Sequence, residues 1–326
     1  MSFLAIDLGG TKLALALFSG EGEILKKEIL PIDKREGLQV GSLIIEKISD
    51  FLEYGNSTGN KIKAIGVSIP GIFRSATGTI WAPSIKGWDD YPLLKEIKDF
   101  VGDIPVKIDN DRACYILGEV WKGNARGCND AIFLSVGTGI GAGILINGDI
   151  LQGSSDISGC IGWMSMLVPF KKEFTECGCF EYFASGTGIA RMAKAALTED
   201  SKNSTILSTL VLEEITSHDV FDAYKKGDKI AVAVISQCVE FWGVAVANLV
   251  SLFNPEKIIF GGGVFGPALP LLPDIYNEAL KWAQPVSIKD VELTGSQLLG
   301  DAGLYGAGYL AIKESLKSSF VKRKNY

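Results

Sequence analysis

A chain of 326 residues, 47% hydrophobic and 21% charged, has the composition of a globular protein long enough for two domains, each with its own core. A formal net charge of −6 offers no broad basic face to nucleic acid. No apolar run approaches the ~20 residues of a membrane span, and the start lacks a basic segment ahead of its apolar stretch, so a cytoplasmic protein without membrane contact is expected.

From the N-terminus, Phe3 to Leu8 predicts a strand, Gly9-Gly10-Thr11-Lys12 a glycine turn, Leu13 to Phe18 a second strand, and Ser19 to Gly22 a polar turn into a third. The plan recurs at 131–151, with a strand from Ala131 to Val136, the turn Gly137-Thr138-Gly139, a strand through Ile144-Leu145-Ile146 and the hairpin signal Asn147-Gly148. Glycine at such turns permits positive φ and lets successive N–H groups approach an anion with no Cβ in the way, which suits phosphate. Tight hairpins alone also use glycine. The duplication, with Asp7 and Lys12 flanking the first turn, favours an anion gripped by two related lobes.

Between the two copies, Leu38, Leu43, Ile44, Ile48 and Phe51 fall at helical spacing and predict a helix over 37–54. Residues 62–69 predict a strand broken by Pro70-Gly71, a place for a substrate loop. A loop holding Trp81, Ser84 and Trp88 leads to a predicted helix over 91–100. Pro105 to Ile108 is a strand running into Asp109-Asn110-Asp111 and a helix over 112–119. A carboxylate at that junction either caps the helix or serves as a general base where strand ends open to ligand.

The second glycine turn also matches G-x-G-x-x-A. Its glycines lead into a hairpin and not a helix, so a dinucleotide site is ruled out on context. Residues 152–185 read as irregular and contain Cys177-Gly178-Cys179. A tetrahedral site needs two more ligands nearby, and no zinc is expected. The six cysteines form no CxxC pair, which fits reduced thiols. The single histidine, His218, follows Thr216-Ser217 in a helix-start signature, which argues for a solvated first-turn residue and against a Ser-His-Asp triad. Helical patterning covers 187–212 and 219–252. A strand over 255–260 ends in Gly261-Gly262-Gly263, and a helix over 273–283 and a strand over 286–293 follow. The last predicted helix, 301–316, carries Gly303, Gly306 and Gly308, which suit close packing on the first lobe.

Five of these stretches, in order, resemble the ROK family of sugar kinases and sugar-responsive regulators. They are Ala5-Ile6-Asp7-Leu8-Gly9-Gly10-Thr11-Lys12, Ile108-Asp109-Asn110-Asp111, Leu134 to Gly143 with its Gly137-Thr138-Gly139, Gly178-Cys179-Phe180-Glu181, and Ile258 to Gly263. The resemblance covers nearly the whole chain. It implies an α/β actin-like ATPase fold, with two ribonuclease-H-like lobes around a central cleft, formed by 1–117 plus 301–326 and by 118–300. It also implies ATP-dependent phosphorylation of a hexose or hexose derivative, by a homodimer.

Residue by residue, the resemblance implies that Gly9, Gly10, Thr11 and Lys12 hold the outer phosphates and that Asp7 orients a hydrated Mg²⁺. Gly137, Thr138 and Gly139 would hold phosphates from the other lobe, and Gly261 and Gly262 would border the adenosine. Asp111 would take the proton from the attacking sugar hydroxyl, with Asn110 and Glu181 binding other hydroxyls and Gly71 in the substrate loop. Catalysis by positioning and charge stabilisation suits phosphoryl transfer. The Walker A pattern is absent, so the phosphate site is not a P-loop.

The chain departs from the family where Cys160-Ile161-Gly162-Trp163 replaces Glu-x-Gly-His, whose Glu normally binds the sugar and whose His contacts sugar and a structural zinc. Lys172 and Phe174 replace two zinc cysteines, only Cys179 holds its place, and Ser84 stands for an asparagine of the sugar loop. Loss of zinc and an altered sugar specificity are therefore expected, with Trp163 offering an apolar face to a sugar ring or acyl substituent. The rival is a non-catalytic sugar sensor. Regulators of the family carry a winged-helix segment ahead of the first lobe, and the position of Asp7 leaves no room for one, so direct DNA binding is not expected. Retention of Asp7, Lys12, Asp111 and both glycine turns favours the kinase. Ser135 stands where Asp7 would fall in the second copy, so the first turn is expected to handle metal and transferred phosphate while the second clamps.

Overall fold

The structure is a computed structural model that describes residues 1–199 and 204–324, with side chains as far as 318. In chain order the elements are β1 (Ser2–Leu8), β2 (Lys12–Ser19), β3 (Ile24–Pro31), α1 (Leu38–Ser57), β4 (Ile62–Ile69), β5 (Ile72–Arg74), β6 (Thr79–Trp81), α2 (Leu93–Val101), β7 (Val106–Asn110) and α3 (Asp111–Lys122). There follow β8 (Ala131–Val136), β9 (Ile140–Ile146), β10 (Asp149–Ile150), α4 (Cys179–Ala184), α5 (Gly186–Glu199), α6 (Ser217–Lys225), α7 (Lys229–Phe253), β11 (Lys257–Gly261), α8 (Leu272–Ala279), β12 (Glu292–Gly295) and α9 (Ala302–Lys324). The chain divides into unit 1, comprising Met1–Gly127, Gln152–Ser158 and Gln297–Tyr326, and unit 2, comprising Cys128–Leu151 and Gly159–Ser296.

Unit 1 is built on a five-stranded sheet in the order β3-β2-β1-β4-β7, with β1 antiparallel to β2 and parallel to β4. Side chains alternate between its faces, as the two-residue period of a strand requires. Leu4, Ile6 and Leu8 join Ile44, Phe51 and Ile97 of α1 and α2 in one core. Ala5, Ala14 and Ala16 meet Leu304 and Ala307 of α9 on the other face. Small residues there let α9 approach closely. A Cβ built on Gly66 would lie 1.9 Å from the Ala307 carbonyl oxygen, and one on Gly306 would lie 1.8 Å from the Cys114 carbonyl oxygen. The glycines of the last helix therefore serve close packing on the first unit, as their spacing suggested.

Unit 2 repeats the arrangement with the order β10-β9-β8-β11-β12, again a meander of antiparallel strands followed by parallel ones. Its core packs Trp242, Val246 and Val250 of α7 against Leu134, Val136 and Phe260.

Four sequence expectations need correction. The helix expected over 187–212 is described over Gly186–Glu199; the stretch 200–203 lies outside the described residues, and from 204 to 214 the described residues form short 3₁₀ turns at Leu207–Thr209 and Leu212–Glu214 in place of a continuous helix. The helix expected over 219–252 is two helices, because Gly227 takes φ +76° and Asp228 caps α7 by accepting from Ile230 and Ala231 N–H. The strand expected over 286–293 begins only at Glu292, since the Gln284 side chain accepts from Val286 and Ser287 N–H and closes a turn instead. Finally, α7 is long and apolar enough by composition to cross a membrane. Its apolar residues fill the unit 2 core.

Candidate active site

Parallel strands deliver an acidic cluster in unit 1. The register pairs Asp7 with Ser68 and Ser68 with Asp109, so three polar residues stand at one level across β1, β4 and β7, at the strand ends where α/β sheets bind ligands. Asp7 is seated against the first turn of α9, where a Cβ on Gly303 would lie 2.7–2.8 Å from its carboxylate. Burial pushes Asp7 up to about 6, the negative charge of Asp111 adds to the rise, and Ser68 and Lys12 oppose it. The Ser68 hydroxyl is fully buried and close enough to influence Asp7, yet it makes no hydrogen bond of ordinary geometry.

The junction of β7 and α3 assigns the capping role that the sequence left open. Asn110 caps α3, its Oδ1 accepting from Ala113 N–H at 2.9 Å. Asp109 Oδ1 accepts from the Asn110 N–H at 2.8 Å and from its Nδ2 at 3.2 Å. Asp109 Oδ2 accepts from Gln152 Nε2 at 2.7 Å. The N-cap is thus Asn110, while Asp111 Oδ1 accepts from the Arg112 N–H at 2.8 Å in the first turn. Burial raises the Asp111 carboxyl, and the neighbouring Arg112 guanidinium is the main opposing influence, with Arg112 Nε 3.9 Å from Asp111 Oδ1. The Tyr115 hydroxyl lies 3.5 Å from Asp111 Oδ2. Asp7 and Asp111, far apart in sequence, thus sit within each other's field.

Around them the first glycine turn closes through Gly9 N–H to the Lys12 carbonyl at 2.9 Å. Neither Gly9 nor Gly10 adopts positive φ, and Gly10 faces Ser84, whose Cβ would be 3.4 Å from an added methyl. Neither a left-handed backbone nor crowding by protein atoms therefore demands glycine at this turn, since an added Cβ would meet only ordinary contacts. Lys12 is exposed and forms no ion pair among the described residues. Gly71 does require positive φ, at +93°, with a Cβ 2.2 Å from the Trp81 carbonyl oxygen. Arg112 Nη2 lies 3.5 Å from the Gly71 carbonyl oxygen, which ties the loop after β4 to the residue beside Asp111.

In unit 2 the second glycine turn borders a cavity of about 610 Å³ lined by Gly137, Thr138, Thr187, Lys194, His218 and Gly263 among others. The N-terminus of α5 points to this turn, Gly186 N–H donating to the Gly137 carbonyl at 2.7 Å and Thr187 Oγ1 to the Thr138 carbonyl at 3.1 Å. Gly137 and Gly263 have no atom within 4 Å of an added Cβ, so that space is open to a ligand. Gly261 and Gly262 instead pack on Phe133 and Val136, Gly262 with φ +86°. His218 is exposed in the first turn of α6, whose N-cap Thr216 forms a capping box with Asp219.

Glu181 occupies the far side of the same turn. Its Oε2 accepts from Ile140 N–H at 2.7 Å, and a Cβ on Gly139 would lie 2.7 Å from that oxygen. Burial raises the Glu181 carboxyl, while the Ile140 N–H and Arg191 oppose the rise. Cys160 opens the 3₁₀ turn Ile161–Trp163, whose Gly162 also packs on Glu181. Trp163 is 57% exposed. Phe174 is buried among Phe170, Tyr182 and Phe183. Among the described residues no three His, Cys, Asp or Glu side chains gather as a metal site.

Sequence reasoning missed Ser68, Arg112, Tyr115 and Gln152, and the placement of His218 on the cavity. Only Gly186-Thr187-Gly188, a glycine-rich helix start, carried a readable signal.

A model of the ROK family matches residues 3–314. Glucokinase of Halalkalibacterium halodurans is 35% identical over 315 residues, covering 94% of this chain and 94% of that protein. A crystallised ROK family transcriptional regulator, homologue of the E. coli MLC protein, superposes with a TM-score of 0.84 at 28% identity over 97% of this chain and 78% of that one. A ROK family glucokinase from Streptomyces griseus, in complex with glucose and AMPPNP, superposes with a TM-score of 0.73 at 28% identity over 96% of this chain and 100% of that one.

Proposed function

The chain belongs to the ROK family and carries the actin-like ATPase fold, and on that premise we propose that it is a sugar kinase that transfers a phosphoryl group from ATP to a hydroxyl of a hexose or hexose derivative. The observation that carries this reading is the pairing of Asp7 and Asp111 at the strand ends of unit 1, beside a glycine turn bearing Lys12. A sugar-binding sensor has no need of two acids and a cation in one place.

Asp111 is the general base. Burial raises its carboxyl, which brings its affinity for a proton closer to that of the attacking hydroxyl, and the Arg112 guanidinium opposes the rise. Asn110 has one amide hydrogen and one lone pair left after capping α3 and pairing with Asp109, and these bind an acceptor hydroxyl. Glu181, Ser84, Gly71, Cys160 and Trp163 complete the acceptor set, with Trp163 presenting an exposed ring for stacking.

The donor set fits a magnesium nucleotide. Asp7 is a single carboxylate with no protein cage around it among the described residues, which is how Mg²⁺ is bound when it keeps its waters and is shared with substrate phosphates. When bound, the ion neutralises charge on the transferred phosphoryl group. Gly9, Gly10, Thr11 and Lys12 offer N–H groups and a cation to the outer phosphates. In unit 2 the open space at Gly137, the α5 N-terminus and the cavity of about 610 Å³ suit phosphates and a nucleoside, with Thr138 and Gly139 on the turn and Gly261 and Gly262 behind the cavity wall.

ATP supplied with a panel of hexoses, amino sugars and N-acylated sugars tests the proposal. Phosphorylation of at least one, lost in Asp111→Asn, is expected. A second reading, a sugar-binding regulator, draws on the likeness to the ROK transcriptional regulator. Calorimetric sugar binding with no nucleotide affinity would select it.

A further inference from the structure

Residues Gln152–Ser158 form a compact strap within unit 1. It closes on itself through Ser158 N–H to the Gln152 carbonyl at 3.1 Å, with Gly153 and Asp156 in the left-handed region at φ +75° and +60°. It is docked at both ends. The Asp156 carboxylate accepts from the Ser75 N–H at 2.9 Å and from its hydroxyl at 2.9–3.0 Å, and Gln152 Nε2 donates to Asp109 Oδ2 at 2.7 Å.

We infer that Gln152 is a positioning residue for acceptor recognition, fixing the plane of the Asp109 carboxylate and through it the amide of Asn110. Asp109 is only 4% exposed, so each of its oxygens must be satisfied by protein groups. One oxygen holds both the main-chain and side-chain N–H of Asn110. The other is held by Gln152. An aspartate has two side-chain torsions, and a donor on each oxygen removes both. Asn110 is thereby left with a single amide hydrogen and a single lone pair, aimed in one direction, which is the arrangement that discriminates one hydroxyl orientation on a polyol from another. Without Gln152, Asp109 Oδ2 becomes a buried acceptor with no donor. The carboxylate then rotates or takes a proton, and Asn110 loses its reference.

The inference rests on the sugar-binding reading of Asn110, and the experiment separates the two. Full-length Gln152→Met keeps the volume and removes the donor. With the sugar that binds the wild-type chain best, its Kd and KM should rise about tenfold or more, as for loss of a hydrogen bond to a charged group. Nucleotide Kd should be unchanged. Gln152→Glu, which sets a second carboxylate against Asp109, should be worse. The double variant Asp109→Asn with Gln152→Glu reverses the amide and the carboxylate and should recover sugar affinity.

A readout independent of any ligand is amide hydrogen exchange. Protection should fall in Gln152→Met at Asn110 and Ala113, and not in β1 or β4. Unchanged exchange there, or sugar and nucleotide affinities falling together, overturns the inference. Failure of the wild-type chain to bind any sugar overturns the proposed function and leaves the exchange result to decide the role of Gln152.

Discussion

Adding one methyl group at each glycine of the second turn separates two roles that the turn combines. In Gly139→Ala the new Cβ would stand 2.7 Å from Glu181 Oε2 and 3.1 Å from its Cδ, against an ordinary contact of about 3.4 Å or more. The carboxylate must retreat by roughly 0.7 Å, which breaks its 2.7 Å bond from Ile140 N–H. Because the displaced atom is the end of a flexible side chain, the fold itself should lose only about 1 kcal/mol. A hydrogen bond to a charged group is worth about 1.5–3 kcal/mol, so sugar KM should rise about 10- to 150-fold if Glu181 binds the acceptor. Gly137→Ala is the matched control, since its Cβ meets nothing within 4 Å. It should leave the thermal midpoint and sugar KM unchanged and raise nucleotide KM, because the methyl enters the space assigned to phosphate. A coupled kinase assay, varying each substrate at saturating levels of the other, gives both constants. If Gly139→Ala raises nucleotide KM and spares sugar KM, Glu181 is not an acceptor ligand and the assignment of the turn is refuted.

Asp7→Asn should abolish turnover and spare sugar binding, while stabilising the chain at neutral pH in the presence of a chelator. Burial raises Asp7 in the folded chain from 3.8 to about 6, so the native state holds the extra proton, and the wild type should lose stability as pH rises from about 4 to 6. The full penalty is at most about 3 kcal/mol, and the variant should lack this slope in urea melts across that range. A variant less stable than wild type at pH 7 would contradict the seating of Asp7. Phe174→Ala removes the ring at the centre of the Phe170, Tyr182 and Phe183 cluster and should cost about 3–5 kcal/mol. The thermal midpoint should fall by about 2–4 °C per kcal/mol, and loss of less than one degree would mean that the ring does not anchor this cluster.

Elements with a local physical signature were legible in the sequence. The two strand pairs around Gly9-Gly10 and Gly137-Thr138-Gly139 are apolar runs closed by turns, and both are present with matching sheet order. The glycines of α9 announced close packing, which Gly306 against Cys114 bears out. Where the reading failed, a side chain overrode the local pattern. Gln284 folds 286–289 into a turn, and Asp228 starts a new helix inside an apolar stretch. The site shows the same division. Asp7, Lys12 and Asp111 stand out by motif, but the partners that tune them are distant in sequence and chemically ordinary. Ser68 reaches Asp7 only through strand register. Gln152 reaches Asp109 only because the strap folds back onto unit 1. The positive φ that glycine permits at such turns is not used by Gly9, Gly10, Gly137 or Gly139. Contact with Glu181 explains Gly139 instead, and such a contact exists only in three dimensions.

The central claim is that Asp111 takes the proton of an attacking sugar hydroxyl. It is tested most directly by measuring transfer of the terminal phosphate of ATP to the best-bound sugar in wild type and Asp111→Asn, with sugar affinity measured in parallel. Turnover should fall about 10²- to 10⁴-fold while sugar Kd changes by less than about tenfold. Equal turnover in the two proteins, or no transfer to any sugar by the wild type, would contradict it.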